Sequence, residues 1–183
     1  QEIVWIKMTI MFIPDDDKGT AEDAVILLKD CTEEMNEKLQ NIEFARIDSL
    51  TKAYNRRYAE ELIQNRIRQY HKGIFVLLDV DKFKNVNDMY GHITGDDLLV
   101  KISSNILSNL KPGDVFGRLG GDEFVLFLVR SDDEEADRHR TMNIFDASRF
   151  RYSEKNIDMD IHCSAGAVFF ESEDVDFDTL YDS

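Results

Sequence analysis

Arg118-Leu119-Gly120-Gly121-Asp122-Glu123-Phe124-Val125-Leu126-Phe127-Leu128-Val129 sets two glycines and two carboxylates directly ahead of an apolar run. Glycine takes backbone angles other residues avoid and lets an anion approach the main chain closely. The stretch therefore predicts a tight turn that leaves acidic side chains at the mouth of a buried strand. Alone, it would fit any hairpin with polar turn residues. A second acidic strand end upstream raises its significance. In Gly73-Ile74-Phe75-Val76-Leu77-Leu78-Asp79-Val80-Asp81-Lys82-Phe83-Lys84 an unbroken apolar run follows a glycine, the pattern of a strand covered on both faces. A carboxylate at the end of such a strand calls for a cation, unless it caps a helix or enters a salt bridge. Asp79 and Asp122 would offer hard oxygen ligands from two neighbouring strands, suited to magnesium held jointly by carboxylates and substrate phosphates.

Downstream of Asp79 the pattern turns helical, with Asp81 placed as an N-cap. The amides of Lys82, Phe83 and Lys84 then open a helix, a start that attracts phosphate, and Lys84 adds a point charge there. Asn87 and Asp96 flank the break at Gly91-His92. A carboxylate such as Asp96 can accept from the paired donors of guanine, a pair that adenine lacks. Asp96 also suits a cap for an amphipathic helix over residues 97–110, with Leu98, Leu99, Ile102, Ile106 and Leu110 inward. Lys111-Pro112-Gly113-Asp114 ends that helix and leads to a strand at 115–118.

Gly120-Gly121-Asp122-Glu123-Phe124 spells the signature of the GGDEF family of diguanylate cyclases. Asp79-Val80-Asp81-Lys82-Phe83-Lys84 with Asn87-Asp88, Gly91-His92 and Gly95-Asp96 resembles the family's second block, and Asp48-Ser49-Leu50-Thr51 with Asn55-Arg56-Arg57 its first. A weaker echo lies at Cys163-Ser164-Ala165-Gly166. The resemblance implies an α/β fold, a ferredoxin-like palm of the nucleotidyl-cyclase type whose mainly antiparallel central sheet is covered by helices. It implies condensation of two GTP molecules into cyclic di-GMP with loss of two pyrophosphates at the interface of a homodimer. Asp79, Asp122, Glu123 and the Val80 carbonyl would bind Mg2+, for which Mn2+ can substitute. Glu123 would be a further metal ligand or the proton acceptor, a role that the sequence does not divide between it and Asp122. Lys84, the backbone at Lys82 and Phe83, and the approach left by Gly120 and Gly121 would hold phosphates; Asn87 and Asp96 would hold guanine. Many relatives carry Arg-x-x-Asp as an inhibitory site for the cyclic product, and here Lys111 replaces the arginine while Asp114 is retained. Lysine lacks the planar fork of guanidinium, so product feedback is expected to be weak or absent. The family continues past a segment like Phe177-Asp178-Thr179-Leu180-Tyr181 into a last helix with a lysine and an arginine for phosphates. This sequence stops at Ser183, so the domain expected over 48–183 lacks that helix. A GTP-binding regulatory module that turns over nothing is the alternative.

The 183 residues suit one medium domain with an appendage. A net charge of −15 argues against a nucleic-acid surface. Two cysteines, Cys31 and Cys163, make neither a disulfide framework nor a metal cluster, which fits a reducing cytoplasm. No run reaches membrane-span length and no signal-peptide pattern opens the chain. The start at Gln1 fits a piece of a larger protein, whose membrane spans, if any, lie elsewhere. Alternating residues over 2–13, the acidic turn Pro14-Asp15-Asp16-Asp17-Lys18-Gly19 and a returning strand at 24–28 predict a hairpin. With the exit through Cys31, it resembles the closing strands of a PAS sensor domain over 1–31. A linker helix is expected over 32–47, capped by Thr32. Its stripe of Met35, Leu39, Ile42 and Ala45 suits equally a coiled coil between subunits or packing on its own domain. A further helix at 55–70 offers Tyr58, Leu62, Ile67 and Tyr70 to the core. A helix at 133–150 and a strand at 159–170 complete the reading.

Overall fold

The computed structural model describes residues 3–14, 21–154, 156–172 and 174–183. They form two compact units, Gln1–Ala45 and Arg46–Ser183.

In the first unit, strands β1 (Ile6–Pro14) and β2 (Ala21–Asp30) pair antiparallel, with Met8 opposite Leu28 and Ile10 opposite Ile26. Opposed residues share a face, so Ile6, Met8, Ile10, Phe12, Ile26 and Leu28 form one apolar row, and all are exposed. Of the acidic turn read at residues 14–19, all but Pro14, the last residue of β1, lies outside the described residues. Helix α1 (Thr32–Phe44) follows and stops three residues earlier than expected. Thr32 does not cap it. Its amide donates to Asp30 Oδ1 at 2.9 Å, and its hydroxyl oxygen accepts from the Trp5 amide at 3.0 Å, which ties the helix start to the beginning of the ribbon.

The second unit runs β3 (Tyr54–Asn55), α2 (Arg56–Tyr70), β4 (Lys72–Val80), α3 (Phe83–Tyr90), α4 (His92–Leu107), β5 (Val115–Gly120), β6 (Glu123–Leu128), α5 (Glu134–Ala147), β7 (Phe150–Glu154), β8 (Ile157–Ile161), β9 (Cys163–Glu171) and α6 (Phe177–Tyr181). The central sheet has the order β3-β5-β6-β4-β9. Only the short β3–β5 pairing is parallel; the others are antiparallel. From β5 to β9 this is the split βαβ order of a ferredoxin-like sheet, as the sequence reading expected.

The apolar run of β4 reflects burial on both faces. Ile74, Val76 and Leu78 join Phe124, Leu126 and Leu128 under Leu98, Leu99, Ile102 and Ile106 of α4. Phe75 joins Val125 and Phe127 on the other face, against Ala59, Ile63 and Ile67 of α2 and Phe177 and Leu180 of α6. Helix α2 lies hard on β5: a Cβ at Gly117 would sit 2.3 Å from Ala59 Cβ. The expected contacts on α2 are therefore displaced. Ile67 is buried, Leu62 and Tyr70 pack at the margin, and half-buried Tyr58 lies under the Arg46 guanidinium, 4.4 Å from its ring centre.

Two further expectations are corrected. The helix at 133–150 stops at Ala147, capped at its start by Asp133, whose Oδ1 accepts from the Ala136 amide at 3.0 Å. The single strand at 159–170 is broken at His162. Residues before it pair with β7 and residues after it pair with β4, so the chain changes partner there. Among the described residues no helix is long and apolar enough to cross a membrane.

Candidate active site at the β4 and β6 strand ends

Residues 121 and 122 connect β5 to β6, with Gly120 paired to Glu123 and a register shift between Arg118 and Gly120. Gly121 has φ +47°, whereas Asp122 has no positive φ. A two-residue hairpin turn with positive φ only at its first central position requires glycine there. The turn thus holds Asp122 half-buried and leaves Glu123 exposed.

Asp79 stands directly opposite Glu123 on one side and Ser164 on the other. The odd-numbered face of β4 that carries Phe75 and Leu77 runs out beyond α6 into a hollow of about 290 Å³, lined by Leu77, Asp79, Glu123, Ser164, Gly166 and Tyr181 among others. Partial burial, followed by the charges of Asp122, Glu123 and Asp81, raises the Asp79 carboxyl above its ordinary value. The Val80 amide donates to the Asp122 carbonyl at 3.3 Å, which binds the turn to the end of β4. Asp79, Asp122 and Glu123 are thereby brought together, although among the described residues no three His, Cys, Asp or Glu side chains already converge as a metal-ligand set.

Asp81 is not the cap of α3. Lys82 holds the cap position in the left-handed region, φ 57°, with no side-chain cap bond. Asp81 turns instead toward β9, accepting from the Ser164 hydroxyl at 2.6 Å, while its amide donates to the His162 carbonyl at 3.0 Å. The amides of Phe83 and Lys84 still open a helix with no preceding turn to satisfy them, and Lys84 is exposed.

Helix α4 starts at His92 rather than at residue 97, so Asp96 is an exposed side chain of its second turn and not its cap. The start is displaced because Gly91, φ 84°, takes the cap position and its carbonyl accepts from the Thr94 amide at 3.1 Å. Asn87 is half-buried, and its Oδ1 is buried without a protein partner. That oxygen occupies the space above Gly95, where a Cβ would approach it to 2.1 Å.

At the other end of α4, Asp114 is fully buried at its side chain. Its Oδ1 accepts from the Val129 amide at 3.0 Å, and its Oδ2 accepts from the Lys111 amide at 2.7 Å and from Arg140 Nη2. Lys111 is exposed.

Sequence reasoning gave no role to Arg118. Its Nε and Nη2 donate to the Gly121 carbonyl at 3.0 and 2.7 Å, and its Nη1 donates to Asp48 Oδ1 at 3.2 Å. Burial pushes the Asp48 carboxyl up, but hydrogen bonds from the Thr51 hydroxyl and amide, with Arg118, outweigh it and leave the group below its ordinary value. The available signal was a lone arginine between buried Gly117 and Leu119, just ahead of the glycines.

Residues 45–183 match the family model described as diguanylate cyclase, GGDEF domain. The uncharacterized protein YtrP of Bacillus subtilis is 43% identical over 94 residues, covering 51% of this chain and 16% of that protein. Diguanylate cyclase DosC of Escherichia coli K12 is 29% identical over 163 residues, covering 84% of this chain and 33% of that protein. This chain therefore spans a third or less of either relative's length. The structure of diguanylate cyclase SiaD from Pseudomonas aeruginosa, in complex with its activator SiaC, superposes with a TM-score of 0.61 at 26% identity, over 82% of this chain and 63% of that one. With the family model spanning most of its length, and with the sheet order and paired acidic strand ends described above, the chain belongs to the GGDEF-domain diguanylate cyclase family.

Proposed function

We propose that this chain condenses two GTP molecules into cyclic di-GMP. The 3′-hydroxyl of each GTP attacks the α-phosphorus of the other, two phosphodiester bonds form, and two pyrophosphates leave with the hydroxyl protons passed to base. The observation that carries this reading is the placement of Asp79 directly opposite Glu123 at the strand ends, both lining one hollow, with Asp122 in the adjoining turn. Such a cluster of hard oxygens fits a divalent cation, and Mg2+ is commonly held by one or two carboxylates completed by substrate phosphates. Asp79, Asp122, Glu123 and the Val80 carbonyl would hold it, and Mn2+ fits the same donors. The ion would polarise the α-phosphate and lower the pKa of the attacking hydroxyl.

The protein's own groups orient the nucleotide. The amides opening α3, with Lys82, Phe83 and Lys84, face the phosphates, and Gly120 and Gly121 leave room for them; a Cβ at either glycine would meet nothing within 4 Å. The unpartnered Asn87 Oδ1 and the exposed Asp96 carboxylate supply acceptors for guanine. Each subunit holds one GTP, so two copies must face each other and turnover depends on their geometry. Control by an N-terminal sensor, of which residues 1–31 are a PAS-like remnant and 32–47 the linker, belongs to the same reading. The internal partners of Asp114, with Lys111 in place of arginine, support the lack of product feedback at that site.

Product analysis after incubation with GTP and Mg2+ tests the reading. Cyclic di-GMP and pyrophosphate are expected from the wild type, with specific activity rising with protein concentration, and neither from Asp122→Ala. GTP binding without turnover would favour a regulatory nucleotide-binding module instead.

A further inference from the structure

Arg118 supports the acidic turn in a way that goes beyond packing. The peptide groups on either side of the Asp122 Cα are both held from outside the turn. The carbonyl of Gly121 accepts two hydrogen bonds from the Arg118 guanidinium, at 3.0 and 2.7 Å. The carbonyl of Asp122 accepts from the Val80 amide at 3.3 Å. Gly121 has φ +47° and no side chain, so beyond the Gly120–Glu123 pairing that closes the turn these outside bonds restrain the peptide that sets where Asp122 points. The remaining edge of the guanidinium is anchored on Asp48 Oδ1 at 3.2 Å, and Asp48 is fixed in turn by the Thr51 amide and hydroxyl at 2.8 and 2.6 Å. Arg118 and Asp48 side chains are only 16% and 23% exposed, so the charge-assisted bonds are partly shielded from water.

We infer that Arg118 is a positioning residue for the acidic turn, and that Asp48 orients Arg118. Together they hold the Gly121–Asp122 peptide, and with it the turn that sets Asp122 and Glu123 beside Asp79. This rests on the metal assignment of the proposed function. It adds that the affinity of that site for its cation depends on a fork of donors that does not itself touch the metal. Planarity is essential, since one guanidinium donates from one edge to a carbonyl and from another to a carboxylate, whereas an ammonium serves both poorly.

The test uses Mn2+ bound to the protein, measured by equilibrium dialysis at a fixed saturating concentration of a non-hydrolysable GTP analogue present in both chambers, on wild type, Asp122→Asn, Arg118→Met, Arg118→Lys and Asp48→Asn, with melting curves for each. Arg118→Met should raise the Mn2+ midpoint about tenfold, and Arg118→Lys and Asp48→Asn should raise it by smaller factors. The Mg2+ midpoint for pyrophosphate release should move in parallel. A wild-type Mn2+ midpoint in Arg118→Met, measured well below its melting temperature while Asp122→Asn is impaired, would reduce Arg118 to a packing role and overturn the inference. If Asp122→Asn also binds Mn2+ normally, or the wild type takes up none, the metal assignment itself fails. Should Arg118→Met not fold, the midpoint of Arg118→Lys decides, and an unchanged value counts against the inference.

Discussion

Asp79 and Glu123 are direct cross-strand partners in the β4–β6 ladder, so two like-charged side chains share one face at the open end of a buried sheet. Like charges opposite each other destabilise a sheet. The arrangement is maintained at a cost to the fold, and the cost predicts how the site responds to protons and substitution.

With its carboxyl raised by partial burial and by Asp122, Glu123 and Asp81, Asp79 is protonated more readily in the folded chain than in the unfolded one. Stability linked to this group is therefore highest below the unfolded carboxylate range, about pH 4, and falls as pH rises through the raised value. At pH 7 without divalent metal, Asp79→Asn should raise the melting temperature by about 1–2 °C while abolishing pyrophosphate release. At pH 4 the gain should disappear. A lower melting temperature at pH 7 would mean that the carboxylate stabilises the fold.

Gly95→Ala should separate binding from stability. The new Cβ meets Asn87 Oδ1 at 2.1 Å and a Phe83 ring carbon at 3.1 Å, so the amide must swing out of place. Alanine inside a helix is favoured over glycine by up to about 1 kcal/mol, so melting should be unchanged or slightly higher. KM for GTP should rise about tenfold, the equivalent of about 1.4 kcal/mol. An unaltered KM would remove Asn87 from guanine recognition.

Asp114→Ala should act on the fold before it acts on any ligand. It leaves Arg140 with only the Val129 carbonyl, 3.4 Å from its Nη1, and leaves the amides of Lys111 and Val129 without their acceptor. Breaking a buried ion pair from one side costs about 3 kcal/mol or more, measurable by urea unfolding. Calorimetry should meanwhile find no tight cyclic di-GMP binding to the wild type that Lys111→Ala removes. Such binding would restore the inhibitory site.

The two thiols should react on different time scales. Cys163 is buried and its thiol is pushed up to about 11 by that burial, and thiolate is the reactive form. Half-exposed Cys31 should be modified by iodoacetamide at pH 7.5, whereas Cys163 should react only on unfolding. Mass spectrometry of the modified peptides reads the order directly.

Strands β4 and β6 were legible because a run buried on both faces has no room for alternation, and their acidic ends were legible because the carboxylates break off that apolar run. Helix α2 was placed but its contact stripe was misread. Tyr58 and Leu62 are larger, yet Ala59 takes the central position because Gly117 lets the strand approach so closely that even a Cβ there would sit 2.3 Å from the Ala59 Cβ. No local pattern announces an approach set by a glycine so far along the chain. The early start of α4 was hidden by Gly91, whose positive φ allows a cap without the usual side-chain oxygen. The Arg118–Asp48 bond joins residues 70 positions apart, and a single arginine ahead of a glycine pair carries no sign of where its fork points.

The bare apolar row of the β1–β2 ribbon bears on how the protein can be handled. A two-stranded ribbon by itself is marginal in water, and here Ile6, Met8, Phe12, Ile26 and Leu28 are each more than half exposed. Residues 1–45 produced alone should bind hydrophobic dyes and come out of solution, and residues 46–183 should remain dispersed at the same concentration. The acidic balance of the whole molecule, −15 overall, then acts as its colloidal protection against association through this ribbon.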